Sequence, residues 1–72
     1  MTITEKQLAN LRTIAEGAAL GLRNARERFE ANKSRYQEGF TPSWLTSAET
    51  YYNVTRRQYE TAEAIYKQQE AK

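Results

Sequence analysis

The amino-acid sequence predicts an all-α fold, a two-helix antiparallel hairpin of coiled-coil type that completes a four-helix bundle by dimerisation. Apolar and small residues recur at intervals of three and four in two long runs, a spacing that places them on one face of a helix. The 72 residues contain no Asp and only four Gly and Pro together, a composition that favours helix. A chain this short builds a marginal core and has no Cys for disulfides, so association with another chain is expected to supply stability.

We expect one hairpin domain over residues 1–72, in which helix 1 spans about residues 3–38. Thr2 and Thr4 are candidate caps at its start, and Thr2 is followed three residues later by Glu5, as in a capping box. Gly39 can adopt the left-handed conformation that ends a helix. The predicted inward stripe of helix 1 consists of Leu8, Leu11, Ala15, Ala18, Leu22, Ala25, Phe29, Asn32 and Tyr36.

A turn is predicted at residues 39–42 and helix 2 at about residues 43–70. Thr41 can cap this helix, and Pro42 suits its first position, where a missing N–H costs nothing. The short connection makes the helices antiparallel. The predicted inward stripe of helix 2 consists of Leu45, Ala48, Tyr52, Thr55, Tyr59, Ala62 and Tyr66.

A tight turn near residues 40 and 41 also predicts which residues face one another. In that register Ala15 faces Tyr66 and Leu22 faces Tyr59. The first turns of helix 1 then extend past the end of helix 2. Ile3 and Leu8 are therefore expected to lack neighbours within the chain.

Two glycines four residues apart, Gly17 and Gly21, lie inside helix 1, where each costs about 0.5 to 1 kcal/mol relative to Ala. One interpretation is that small residues allow a second helix to approach closely. The other is that Gly17 kinks or ends a short first helix. The predicted close-packing positions are Ala15, Gly17, Ala18, Gly21 and Ala25.

Apolar residues beside the main stripes form a broader face than one partner helix can cover. The main functional hypothesis is therefore a small protein-binding regulator, adaptor or inhibitor. Its partner is either a second copy, giving a homodimer, or a larger protein. The predicted protein interface comprises Leu8, Ile14, Leu20, Trp44, Tyr51, Val54 and Ile65.

The alternative hypothesis is RNA or DNA binding through the half of the hairpin nearer the turn, which is the more basic half. In layout alone, a small dimeric hairpin bundle resembles the plasmid copy-number RNA-binding proteins. The candidate nucleic-acid contacts are Arg23, Arg26, Arg28, Arg35, Arg56 and Arg57. Many of these arginines have Glu at helical spacing, which indicates a solvated, ion-paired face instead. The predicted pairs are Arg12–Glu16, Arg23–Glu27, Arg26–Glu30, Arg56–Glu60 and Glu63–Lys67.

Catalysis is not expected. Without His, Cys or Asp, the usual nucleophile–base triads and Cys/His zinc sites cannot be assembled, so no enzyme activity, cofactor or metal is predicted. The sequence shows no secretory signal and no membrane span, and the cytoplasm is the expected compartment.

The segment RYQEG, followed by a helix with Ala and Tyr at intervals, resembles the RY-x-x-G helix-turn-helix segment of TolC-like outer-membrane efflux proteins over about residues 25–66. In this chain FTPSWLTSAETYY replaces the small apolar and Asp-containing sequence that follows the glycine in that family. The β-strand segments of the family are also missing. We take no function from this resemblance.

Overall fold

Two α-helices packed against each other make up the computed structural model, which describes residues 2–71. Helix α1 spans Glu5–Ala31, a short 3-10 helix spans Lys33–Arg35, and α2 spans Ser43–Glu70. The helices are antiparallel, since residues at the start of α1 contact the end of α2. The predicted all-helical hairpin is thus confirmed, as a rod with principal extents of 55 × 17 × 14 Å.

Helix α1 begins with a capping box at Thr4. The Thr4 hydroxyl accepts the N–H of Gln7 at 3.1 Å, and the Gln7 side chain accepts the N–H of Thr4 at 3.0 Å. These bonds satisfy donors that the first helical turn leaves free. Thr4 is therefore the cap, and the box predicted from Thr2 and Glu5 is wrong.

Helix α1 ends at Ala31, seven residues before the predicted end. The Asn32 side chain donates to the Arg28 carbonyl at 2.8 Å, and the Asn32 N–H donates to the Arg28 and Phe29 carbonyls. A short amide side chain that donates a hydrogen bond to one of the last carbonyls of a helix favours termination of that helix. The stripe continues to Asn32 and Tyr36 in the sequence, but Tyr36 has an extended backbone.

The connection therefore covers residues 32–42 and folds around stacked rings. Tyr36 stacks on Phe29 with ring centroids 5.6 Å apart, and on Phe40 at 5.5 Å. Gly39 does not end α1. Its φ of +84° lies in a turn closed by the Phe40 N–H and the Gln37 carbonyl, at the position where a type II turn requires positive φ.

Pro42 is the cap of α2 and not its first helical residue. Its backbone is extended, and its carbonyl accepts the N–H groups of Leu45 at 3.1 Å and Thr46 at 3.3 Å. No side chain caps this helix, so the expected capping role of Thr41 is also wrong.

The longer connection shifts the register of the hairpin. Tyr66 donates to Glu5 at 3.0 Å, whereas Ala15 was the predicted neighbour. Tyr59 accepts from Arg12 at 3.2 Å, whereas Leu22 was predicted. Both partners lie ten residues earlier than expected, about three helical turns.

The shift overturns the expectation that the start of the chain has no neighbours. The Ile3 N–H donates to the Gln69 side-chain oxygen at 2.6 Å, and the Gln69 amide donates to the Ile3 carbonyl at 2.9 Å. Ile3 and Leu8 are both half-buried. We call the Ile3–Gln69 and Glu5–Tyr66 contacts the terminal clasp.

The two predicted stripes form the contact between the helices, and none of their residues is exposed. The core is nevertheless thin. Its buried apolar residues, each 5 to 6% exposed, are Ala18, Leu22, Leu45 and Ala62. Thr55 is also buried, and its hydroxyl donates to the carbonyls of Tyr51 at 2.9 Å and Tyr52 at 3.1 Å, so no polar group is left unpaired there.

Much surface stays exposed around this core. The accessible surface is 5827 Å², whereas a compact protein of 8.4 kDa exposes about 4,600 Å². The hairpin therefore exposes roughly 1,200 Å² more than a globular chain of its size.

Neither interpretation of the glycines holds within the hairpin. Helix α1 is continuous through Gly17 and Gly21, so it is not broken there. Both glycines are exposed, and a Cβ at either would meet no atom within 4 Å. Of the predicted close-packing set, Ala18 is buried and Ala15 and Ala25 are half-buried against α2, because only these three lie on the inward stripe.

Residues 2–71 contain no helix with the length and apolar character that crossing a membrane requires.

Two leucines of α1 provide a test of the core. Leu22 is 5% exposed and Leu20 is 57% exposed. We expect Leu22→Ala to lower the free energy of unfolding by about 2 to 5 kcal/mol through lost burial and a cavity. Leu20→Ala, the matched control, should change it by less than about 0.5 kcal/mol. Urea denaturation followed by circular dichroism measures both, and equal effects would contradict the packing described above.

The terminal clasp gives a pH prediction. Desolvation, followed by hydrogen bonds with Glu5 and Glu70, raises the pKa of Tyr66 to about 12. Because the folded-state pKa is above the ordinary tyrosine value of about 10, the stabilisation is present below pH 10 and is lost as the pH rises toward 12.

Tyrosinate absorbance during an alkaline titration should show a late component near pH 12 that Tyr66→Phe removes and Glu5→Gln shifts downward. Glu16→Gln is the control and should leave that component in place. If the absorbance change above pH 11 is the same in Tyr66→Phe as in the unmodified chain, the terminal clasp does not hold this hydroxyl.

Candidate protein interface

The flanks of the two helices give the hairpin two chemically different sides. Each helix has two flanks, one on either side of its inward stripe. When the helices run antiparallel, the flanks reached by turning in the same direction from each stripe lie on the same side of the hairpin. On one side, Arg12 and Glu16 of α1 line a shallow groove with Arg56 of α2. We call this the charged side; its members are Arg12, Glu16, Arg23, Arg26, Glu27, Arg56, Glu60, Glu63 and Lys67.

Three of the five predicted ion pairs form on the charged side. Their N–O distances are 3.4 Å for Arg23–Glu27, 2.8 Å for Arg56–Glu60 and 3.6 Å for Lys67–Glu63. All are one helical turn apart, and every partner except the half-buried Glu63 is well exposed, so each pair adds little stability. Arg12 departs from the prediction, because it donates to the Tyr59 hydroxyl instead of pairing with Glu16.

The Tyr59 hydroxyl links the two helices on the charged side. It accepts from Arg12 and donates to the Glu63 carboxylate at 2.6 Å. This hydrogen bond, together with the nearby Lys67 ammonium, lowers the pKa of Glu63. Glu63 therefore stays ionised and acts as an acceptor at neutral pH, which holds the tyrosine ring across the helix contact.

The opposite side carries exposed residues that are almost entirely uncharged. On α1 they are Gln7, Asn10, Ile14, Gly17 and Gly21. On α2 they are Ser47, Tyr51, Val54, Gln58 and Thr61, beside the half-buried Ile65. We call this surface the uncharged side. Arg28 at the turn end and Arg57 at the outer edge of α2 are the charged residues that border it.

Two open grooves run along the uncharged side of α2. One, of about 740 Å³, is lined by Val54, Thr61 and Ile65 of α2 and by Ile3 and Leu11 of the α1 side. The other, of about 910 Å³, begins at Phe40 and includes Tyr51. Thr50 and Val54 line both grooves, so together they form one trough, which we call the α2 trough.

The structure brings together four of the seven predicted interface residues. Ile14, Tyr51 and Val54 are 44%, 56% and 48% exposed, and half-buried Ile65 lines the α2 trough beside Val54. These four lie on the uncharged side. Phe40, 50% exposed, joins them at the turn end. Sequence periodicity missed Phe40, since it precedes the helix.

The other three predicted interface residues do not add exposed apolar surface to the uncharged side. Leu8 belongs to the inward stripe and is half-buried. Leu20 is exposed on the side of α1 that points away from α2, so it does not share a surface with Tyr51. Trp44 is half-buried, and the Arg28 guanidinium lies over its ring at 4.6 Å from the centroid.

The candidate nucleic-acid contacts do not form one patch. Arg23 and Arg56 are paired with Glu on the charged side, where Arg26 also lies. Arg28 covers Trp44 on the other side, and Arg57 borders the α2 trough. Arg35 sits in the connection. A phosphate backbone tracked along one face would therefore meet only some of them.

No group of three or more acidic, His or Cys side chains within residues 2–71 is arranged to hold a metal ion. No protein-family model matches the chain, and searches of curated proteins and of solved structures found no match.

The contact between Arg28 and Trp44 can be tested by fluorescence, because the chain has one tryptophan. Arg28→Gln removes the guanidinium from above the ring, so we expect acrylamide to quench Trp44 more strongly. Stability should fall by about 0.5 to 1 kcal/mol, as for other exposed cation–π pairs. Arg26→Gln, on the charged side, is the control. Unchanged quenching in Arg28→Gln would show that the ring is not covered in solution.

Proposed function

We propose that this protein is a non-enzymatic protein-interaction module. It acts as a small regulator, adaptor or inhibitor by binding a helical surface of its partner through the uncharged side. The observation that carries the proposal is the row of exposed apolar residues, Ile14, Tyr51 and Val54, on a surface whose ionised groups, Arg28 and Arg57, lie at its borders. Apolar and aromatic residues with few charges are typical of the centre of a protein interface.

The shape of the α2 trough supports a macromolecular ligand. Small-molecule sites enclose most of their ligand, whereas this trough is open along its whole length from Phe40 to Ile65. A helix is about 10 Å across and presents side chains every three or four residues, which suits a long shallow groove.

The polar residues of the uncharged side suit the same role. Ser47, Gln58 and Thr61 are exposed hydroxyl and amide groups that hydrogen-bond to water in the free protein. Hydroxyl and amide groups are easier to desolvate on binding than charged groups are. The proposal keeps the cytoplasm as the compartment, an expectation that rests on the sequence.

Nucleic-acid binding is the competing function. The dispersal of its candidate arginines, two of them in ion pairs with Glu, favours the protein-binding proposal over it. It would show itself as an affinity for RNA or DNA that falls steeply with salt and weakens in the double variant Arg56→Gln, Arg57→Gln.

The test compares two variants that each add one carboxylate to α2. Tyr51→Glu places it on the uncharged side, and Ala64→Glu places it on the exposed outer face. After nuclease treatment, proteins retained by the tagged chain are identified, purified and titrated directly against it. We expect Tyr51→Glu to weaken binding about tenfold or more, because an unpaired carboxylate is costly to bury.

Ala64→Glu should bind as the unmodified chain does, and both variants should keep the circular dichroism of the hairpin. Equal affinity of Tyr51→Glu and the unmodified chain would rule out the uncharged side as the interface. Retention that disappears on nuclease treatment would support the nucleic-acid function instead.

A further inference from the structure

We infer that the partner that covers the uncharged side is a second copy of this chain, packed with the two turn ends at the same end of a four-helix bundle. This inference rests on the proposed function and names its partner. The area, the charge distribution and the shape of the uncharged side support it.

The area of the uncharged side suits a small dimer. About 24 residues of each helix contribute, which corresponds to a length of about 35 Å at the rise of an α-helix. With a width of 17 Å, the face has a flat footprint of about 600 Å² per copy. Two copies then bury about 1,200 Å², which is the lower bound for specific interfaces. Protruding side chains add further buried area to this flat footprint.

The charge distribution favours a partner that is itself uncharged on its contact face. A second copy meets this requirement, because the ionised residues of its own uncharged side are Arg28 at the turn end and Arg57 at the outer edge of α2, both at the border of the contact. Stacking the two uncharged sides leaves both charged sides in water on the outside of the bundle. The members of the charged side then need not be desolvated.

The shape of the uncharged side allows two copies of it to fit together. Contacts of Arg12 with Tyr59 and of Arg28 with Trp44 fix which levels of the two helices coincide. By interpolation, Gly21 of α1 lies level with Tyr51 of α2, and Gly17 with Val54. Each copy therefore carries a strip without side chains and a ridge of large side chains at the same height along the rod.

The positions of the strip and the ridge favour one of two possible twofold arrangements. With the axis along the rod, α1 of one copy lies over α2 of the other at the same level. The Tyr51–Val54 ridge then enters the open strip at Gly17 and Gly21, twice by symmetry. With the axis across the rod, ridge meets ridge and strip meets strip, which packs less well. The turn ends therefore lie together.

Sedimentation equilibrium over a range of concentrations is the first test. We expect a reversible dimer whose dissociation constant rises about tenfold or more in Gly21→Leu, since the new side chain fills the strip that receives Tyr51. Gly21→Leu has free space within the hairpin and favours helix, so the hairpin itself should remain folded. Ala9→Leu places the same leucine side chain on the exposed far side of α1 and should leave the dimer unchanged.

Disulfide trapping tests the arrangement, and the chain has no native Cys to interfere. An equal mixture of Gly21→Cys and size-tagged Tyr51→Cys should give a covalent heterodimer on oxidation. Gly17 lies beside the midpoint of α1, so Gly17→Cys alone would link to itself in the reversed arrangement. A covalent dimer from Gly17→Cys alone, with none from the mixture, would overturn the proposed polarity.

The outcomes separate this inference from the proposed function. A chain that stays monomeric at high concentration, while Tyr51→Glu still weakens binding to a different protein, refutes the second copy and leaves the proposed function standing. A monomer with no protein partner sensitive to Tyr51→Glu refutes both.

Discussion

The structure depends on one narrow strip of contact between two helices. Its buried apolar residues are Ala18 and Leu22 of α1 and Leu45 and Ala62 of α2, and each of them keeps 5 to 6% of its surface exposed. Two helices give each other one covered face, so the flanks of both remain open whatever their composition. The thin core, the ties at both ends of the rod and the exposed sides all follow from this geometric limit.

Contacts at the two ends supplement that core and fix the register. At one end the terminal clasp attaches Ile3 to Gln69 by two hydrogen bonds and Glu5 to Tyr66 by a third. At the other end, Phe29, Tyr36 and Phe40 stack in series. A coiled-coil-like seam of similar residues can slide by a turn at little cost, whereas directional bonds and stacked rings at fixed positions cannot.

The periodicity of the sequence predicts the helices and their inward stripes, because burial of one face leaves a three-and-four spacing. It fails at the end of α1, since Asn32 and Tyr36 continue that spacing after the helix has stopped. Termination depends on the Asn32 side chain taking the Arg28 carbonyl, a local competition that spacing does not record. One misplaced helix end then changes the register, and with it the neighbours of Ile3. The predicted interface fails at Leu20 for a different reason. Leu20 is two residues from both Ala18 and Leu22, so the helical period itself places it on the face of α1 opposite the stripe and away from Tyr51. Phe40 precedes the helix, so no period could include it.

Each helix has one charged flank and one uncharged flank. Antiparallel packing places the two charged flanks on one side of the hairpin and the two uncharged flanks on the other. Had either helix carried its charged flank on the other side of its stripe, the hairpin would show mixed charge on both sides. Instead Arg12 meets the tyrosine that Glu63 holds, and the opposite side is left to residues such as Val54, Thr61 and Gln58. Hydroxyl and amide groups keep that side hydrated in a free chain, yet they can be buried with far less desolvation than ionised groups. Such a surface suits association that is reversible, in which the free and bound states are both folded and the balance between them is set by concentration.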